Sequence, residues 1–259
     1  MSIDPTQIIQ PSIYIGGLEI AEPTTTITDL MIAAASFYAW WRLKPREADG
    51  LQYKFFRIFF LLTAFGTMCG GLIGHGFLYW FGTKWKLVGF YLGMWAVAAI
   101  ERSAIIHANR FITNERLGKV FLVINALELI VMMVYTALTL HFEWVEYHLA
   151  YGFLIVVFWF HFYVYVKTKD YGSYLILWNT VLLLITVFIF NYPVIPHEWF
   201  NHRDLAHIFM VFAMILLMYG ALHMGYRKDG TKIISPKEQA NAPTQKKSLH
   251  LQRRATGKT

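Results

Sequence analysis

Three separated stretches of the chain carry His or Asp where a hydrophobic run begins or ends. His75 follows Gly66, Gly70 and Gly74 late in one run. Asn201-His202-Arg203-Asp204-Leu205-Ala206-His207 opens another, and Thr24-Thr25-Thr26-Ile27-Thr28-Asp29 opens a third. Ionisable groups in an apolar helix are expensive and mark function. Neutral imidazole and carboxylate are what zinc takes when cysteine is absent, and three protein ligands plus water make a catalytic site. The expected ligands are His75, His207 and either His202 or Asp204, the last sharing a helix face with His207. Asp29 is the expected proton acceptor, or the group that orients the water. Structural roles compete at each position. Thr26-x-x-Asp29 and Asn201-x-x-Asp204 have the form of capping boxes, with Asp where Glu or Gln is commoner. His202 suits a solvated loop, and His75 and His207 suit interhelical hydrogen bonding. The glycines before His75 form two overlapping GxxxG steps, which allow close helix approach.

The elements that carry these residues are hydrophobic helices. The chain has 259 residues, 56% of them apolar and only 15% charged. A soluble domain averages about a quarter charged. Runs of about 20 apolar residues recur, each able to cross a bilayer core of about 30 Å. The expected fold class is all-α, a polytopic bundle of seven transmembrane helices. The spans run roughly 26–43, 56–80, 87–108, 118–140, 146–166, 173–192 and 204–225. Short loops make consecutive helices antiparallel neighbours. The runs are continuous, so they do not read as barrel strands. The single cysteine, Cys69, excludes an intrachain disulfide and a cysteine-based zinc ribbon.

Basic residues set the orientation. Residues 1–23 contain no Lys or Arg, the 42–57 stretch contains five, and the tail from Arg227 onward contains nine. Alternate loops sort into a face with 19 and a face with three, which puts the N-terminus outside and the C-terminus in the cytoplasm. The chain then divides into an extracytoplasmic segment 1–23, a seven-helix domain 24–226 and a basic, disordered cytoplasmic tail 227–259. The tail carries a charge of +7, equal to that of the whole chain. On a membrane protein this charge suits anionic lipid headgroups rather than nucleic acid. If the source is bacterial, the compartment is the plasma (inner) membrane.

A second polar set lies deeper: Glu101, Arg102, Asn125, Glu128, His161, Asn179 and His223. It reads as polar glue between helices, or as groups that bind an ion or pass protons. Histidines paired across helices also suit b-type haem, with His75 and His207 at one depth and His161 and His223 at the other.

A histidine late in span two, histidines opening span seven, seven helices and an outside N-terminus together resemble the CREST superfamily of membrane hydrolases, which includes alkaline ceramidases and adiponectin-receptor-like proteins. The resemblance covers the architecture of about 200 residues. Thr-Asp29-Leu, Gly-His75-Gly and Asn-His-Arg-Asp204-x-x-His207 look closest to an uncharacterised bacterial branch. The resemblance implies zinc held by a Ser-x-x-x-His in span two and a His-x-x-x-His in the last span. His75 and His207 match two of those histidines. Gly71 stands at the serine position and Arg203 at the remaining histidine position, so His202 or Asp204 is left to complete the set. The implied activity is zinc-dependent hydrolysis of an amide or ester bond in a lipid-like substrate. A non-catalytic membrane receptor with a structural metal, or a haem electron carrier, are the alternatives.

Overall fold

The computed structural model describes residues 10–192 and 197–241. A small antiparallel hairpin comes first, β1 (Ile13–Ile15) against β2 (Leu18–Ile20), with Ile13 opposite Ile20. Seven long helices follow: α1 (Pro23–Arg42), α2 (Leu51–Gly76), α3 (Lys86–Asn109), α4 (Glu115–Thr139), α5 (Glu143–Thr168), α6 (Tyr171–Asn191) and α7 (His202–His223). A short α8 (Pro236–Asn241) ends the described part. The all-α expectation therefore holds for the bundle but omits the hairpin. Strands of three residues are too short to display an alternating pattern.

The helices α2 to α7 are all long and apolar enough to cross a membrane, which makes the chain a multi-pass membrane protein by length and composition. α1 has 20 residues but is not among those six, because Thr24, Thr25, Thr26, Thr28 and Asp29 fill its first turns. α1 lies between α2 and α7, α3 packs along α2, and α6 pairs with α7. α4 and α5 complete the bundle on the α3 side. Phe56 and Phe60 of α2, Ile100 of α3, Val157 of α5, Ile176 of α6 and Leu217 of α7 share one apolar core. α4 is the least enclosed of the six, and it leaves Val123, Leu127, Ile130, Val134 and Leu138 exposed along one side. A stripe of that kind suits contact with acyl chains.

Two helices contain a π-helical stretch: Gly70–Gly76 at the end of α2 and Tyr151–Val157 inside α5. Such turns widen the helix, turn side chains off the regular α spacing, and are frequent at functional sites. Each lies beside one of the polar clusters described below.

Asp170 ties the opposite end of the bundle. It caps α6 by accepting from Ser173 N at 2.9 Å, and it also accepts from Ser173 Oγ at 2.6 Å and Gly225 N at 2.7 Å. His107 Nε2 of α3 lies 3.2 Å from the same carboxylate. Burial opposes the charge, but the hydrogen bonds from His107 and Ser173 outweigh it and hold the Asp170 carboxyl down at about 2.

The first part of the expected disordered tail is folded. Ile233 is buried with Ala108, Phe111 and Val164, and Ile233 N donates to Gly225 O at 2.8 Å. Arg110 holds both Glu238 oxygens, at 2.9 and 3.0 Å. A charge count hides this, because one isoleucine and one ion pair are enough to anchor the segment. Residues 242–259, with Lys246-Lys247, Arg253-Arg254 and Lys258, lie outside the described residues.

The depressed Asp170 carboxyl predicts an acid limb of stability. Its contribution is complete above the ordinary value of 3.8 and disappears as pH falls towards about 2. That shift corresponds to about 2 kcal/mol. In detergent, the wild-type Tm should drop over that window. Asp170→Asn should already show the loss at pH 7, and an unchanged Tm at pH 7 would contradict the assignment.

Candidate functional site

The N-terminal end of α1 sits against the π-helical end of α2. Glu22 precedes Pro23 in a left-handed conformation, φ 42°, which an L residue with a side chain adopts only under constraint. Ala21 N donates to Gly76 O at 3.0 Å, and Thr26 Oγ1 donates to Gly71 O at 3.2 Å. A Cβ on Gly71 would lie 2.9 Å from Asp29 Cβ and 3.0 Å from Thr26 O. Asp29 therefore occupies the space that a side chain at position 71 would need. The glycine at the resembled family's serine position follows from that close approach.

Asp29 is buried, and each of its carboxylate oxygens has an imidazole near it. His207 Nε2 is 3.7 Å from Asp29 Oδ1, and His75 Nε2 is 4.0 Å from Asp29 Oδ2. The other ring nitrogens fix the tautomers. Thr28 Oγ1 lies 3.0 Å from both Thr25 O and His207 Nδ1, and when its proton is on Thr25 O it accepts from His207 Nδ1. His207 Nδ1 then carries a hydrogen. His75 Nδ1 meets the Glu22 carboxylate, which only accepts, so His75 Nδ1 also carries a hydrogen. In their neutral forms both histidines present bare Nε2 lone pairs to Asp29. Acceptors facing acceptors in a buried site require positive charge between them, as protons or as a metal ion.

Glu22 is the outer brace of this group. Burial raises its carboxyl, but the hydrogen bond and charge of His75, with the charges of Arg203 and Lys86, outweigh burial and hold it below its ordinary 4.5.

The structure revises the other expected site residues. Asp204 is spent on structure. Its Oδ2 accepts from Asn201 N at 2.8 Å and from the Gln10 amide, and its Oδ1 accepts from Thr25 Oγ1 at 2.8 Å. With Asn201 it forms the reciprocal capping box of α7 that the spacing suggested. These bonds hold the start of α1 against the start of α7. His202 is not a solvated loop residue. It is the first residue of α7, buried, with its ring edge-on to Phe190 and Nδ1 without a partner among the described residues. The Thr26–Asp29 capping box does not form, because α1 starts at Pro23 and Asp29 lies well inside it. Sequence reasoning missed Glu22, Thr28 and Gln10. The acid immediately before a helix-starting proline was the one available signal.

The deeper residues fall into separate clusters. Glu101, Asn125 and Glu128 meet His148, which the sequence reading left unassigned near the start of span five. Among the described residues, Glu101, Glu128 and His148 form the one His/Asp/Glu group whose ligand atoms all lie within 4.8 Å of one another. The His75–Asp29–His207 set is wider than that. His161 lies elsewhere: it is buried, stacked on His107 at 5.6 Å and bonded to Ser173 Oγ at 2.9 Å. His223 is exposed and edge-on to Tyr171. The inner histidine pair of the haem reading is therefore not brought together. Asn179 is buried, and neither of its side-chain polar atoms has a partner among the described residues.

A family profile described as "Family of unknown function (DUF6962)" matches residues 24–226, and the chain belongs to that family. No curated protein and no solved structure matches it.

The Gly71 contact gives a controlled prediction. Gly71→Ala should destabilise the protein by about 1–3 kcal/mol through overpacking against Asp29. Gly74→Ala, whose Cβ would meet nothing within 4 Å, should be tolerated. Thermal unfolding of both variants in detergent makes the comparison, and equal Tm values would refute the close approach.

Proposed function

We propose that this member of the DUF6962 family is an integral membrane metal hydrolase. In this reading all seven long helices span, with the N-terminus outside and the C-terminus in the cytoplasm. The charge asymmetry supports it, as does the position of α1 between two helices apolar enough to span. The substrate is a lipid-like molecule cleaved at an amide or ester bond. Exposed Ile27, Leu30 and Met31 on α1, beside Asp29, give an acyl chain a surface to lie along.

One observation carries the reading: two bare Nε2 atoms converge on one buried carboxylate. A tetrahedral ion with bonds of about 2.1 Å has ligand–ligand edges of about 3.4 Å. The 3.7 and 4.0 Å edges run to different Asp29 oxygens and the three-residue set is wider than 4.8 Å, so an ion would have to draw the two imidazoles together. In this proposal His75, His207 and Asp29 are the ligand set, with Asp29 taking the place of Asp204 or His202 as the third member. The second shell has the form that metal histidines favour, one imidazole braced by a carboxylate and the other by a hydroxyl. A bound zinc ion supplies a coordinated water of lowered pKa and polarises a carbonyl. Asp29 would be one of the residues that hold the ion, and its carboxylate would accept a proton. Glu22 and Thr28 hold the rings so that their Nε2 lone pairs stay directed inward. Gln10 and Asp204 keep α1 and α7 together.

Elemental analysis of purified wild type, His75→Ala and His207→Ala tests the ligand set. Each variant should carry one equivalent of zinc fewer than wild type, whereas Asp204→Asn should keep the metal and lose thermal stability. Unchanged zinc in both histidine variants would remove the proposed site. Screening acyl-amide lipids then tests the chemistry. Asp29→Asn should lower turnover about 10²–10⁴-fold, as loss of a general base does, and turnover equal to wild type would exclude Asp29 from proton transfer.

A further inference from the structure

Between α3, α4 and α5 lies a second arrangement of the same kind, remote in sequence from the first. Glu101 is fully buried on α3, and its Oε1 has no hydrogen-bond partner among the described residues. Its Oε2 accepts from the Asn125 amide of α4. Arg102 Nε donates to Asn125 Oδ1 at 2.9 Å, which fixes the amide so that its NH₂ faces Glu101. Glu128, one helical turn along α4 from Asn125, faces His148 of α5. His148 Nδ1 is 2.8 Å from both Glu128 oxygens.

The tautomer of His148 is again set by its far side. Its Nε2 lies 3.0 Å from Met94 O, and a carbonyl only accepts, so Nε2 carries the hydrogen. In neutral His148, Nδ1 then points a lone pair at a carboxylate. Two carboxylates and one bare imidazole nitrogen share a few ångströms, against a single fixed cation, Arg102, outside them. Such a cluster stays buried only if a positive charge enters it. The second ring nitrogen on a backbone carbonyl is the bracing typical of a metal-bound histidine.

Gly152 lies in the π-helical stretch of α5, and a Cβ there would come 2.8 Å from Glu101 Oε1. Gly152 thus packs tightly against Val97 and Glu101, and a side chain there would displace the Glu101 carboxylate.

We propose that Glu101, Glu128 and His148 bind a second ion, a divalent first-row transition metal. The donor set selects the class. Imidazole disfavours magnesium and calcium, and two carboxylates with one nitrogen suit zinc, manganese or iron. Three protein ligands leave a coordination position open. This site is independent of His75 and His207 and requires no hydrolytic activity.

Cobalt(II) alone is the probe, added to full-length protein in detergent after chelator treatment. The His75→Ala/His207→Ala double variant removes the outer site. It should still bind one equivalent of cobalt with visible d–d absorption, and adding Glu128→Gln should weaken that binding at least about tenfold. Absence of cobalt from the double variant, with circular dichroism and elution matching wild type, would overturn the proposal and mean that protons alone neutralise the cluster. So would cobalt binding indifferent to Glu128→Gln. If the double variant does not fold, the same titration compares wild type with Glu128→Gln and with His148→Gln. One equivalent fewer in each is expected, and equal stoichiometry would overturn the site.

Discussion

The Asp29 carboxylate lies between two imidazole nitrogens, 3.7 Å from one and 4.0 Å from the other, at the junction of α1, α2 and α7. A buried charge with no compensating donor is costly enough to dominate local structure. The surroundings follow from it. Gly71 has no side chain because Asp29 fills that space. Glu22 holds a left-handed backbone conformation while its carboxylate meets His75 Nδ1. Gln10 accepts from Thr24 N and Thr25 N at the start of α1 and donates to Asp204, so the chain ahead of the hairpin clamps the two helix starts together. The first turns of α1 are polar because they are the floor of this site, and the same residues separate α1 from the six plainly apolar helices.

The bundle uses one device twice. At the α1–α2–α7 junction and between α3, α4 and α5, a histidine gives its N–H to a fixed acceptor and turns its other nitrogen on a carboxylate. Each place adjoins a π-helical stretch with a glycine where a side chain would collide with an acid. A π turn displaces one residue from the helical register, which lets a backbone approach a neighbouring side chain that a regular helix would push away. The third polar cluster, Asp170 with His107, Ser173 and His161, differs in kind. There the carboxylate is saturated by donors, and it ties helices together.

How much of this was legible in the sequence depends on range. Hydrophobic runs give the long helices because an apolar stretch of about 20 residues has one inexpensive conformation in lipid. Charge bias set the end of span two and the start of span seven at one expected depth, and His75 and His207 both lie near Asp29. The capping role of Asp204 was also written in its spacing from Asn201. Asp29 was visible as an acid in an apolar run, but its place between the rings depends on the approach that Gly71 permits, which is a tertiary fact. His148 was passed over because five residues separate it from the start of its helix, where a histidine looks interfacial. The π turns left no trace in composition, and the hairpin is too short to show alternation. The tail looked disordered because net charge outweighs a single buried isoleucine in any average.

The central claim is that two histidines and Asp29 share one ion. X-ray absorption at the zinc edge of full-length Glu128→Gln protein carrying one equivalent of zinc tests it most directly. The account predicts a first shell of nitrogen and oxygen at about 2.0–2.1 Å, with outer-shell scattering from two imidazoles and no sulfur. A shell without imidazole, or with only one, would contradict it.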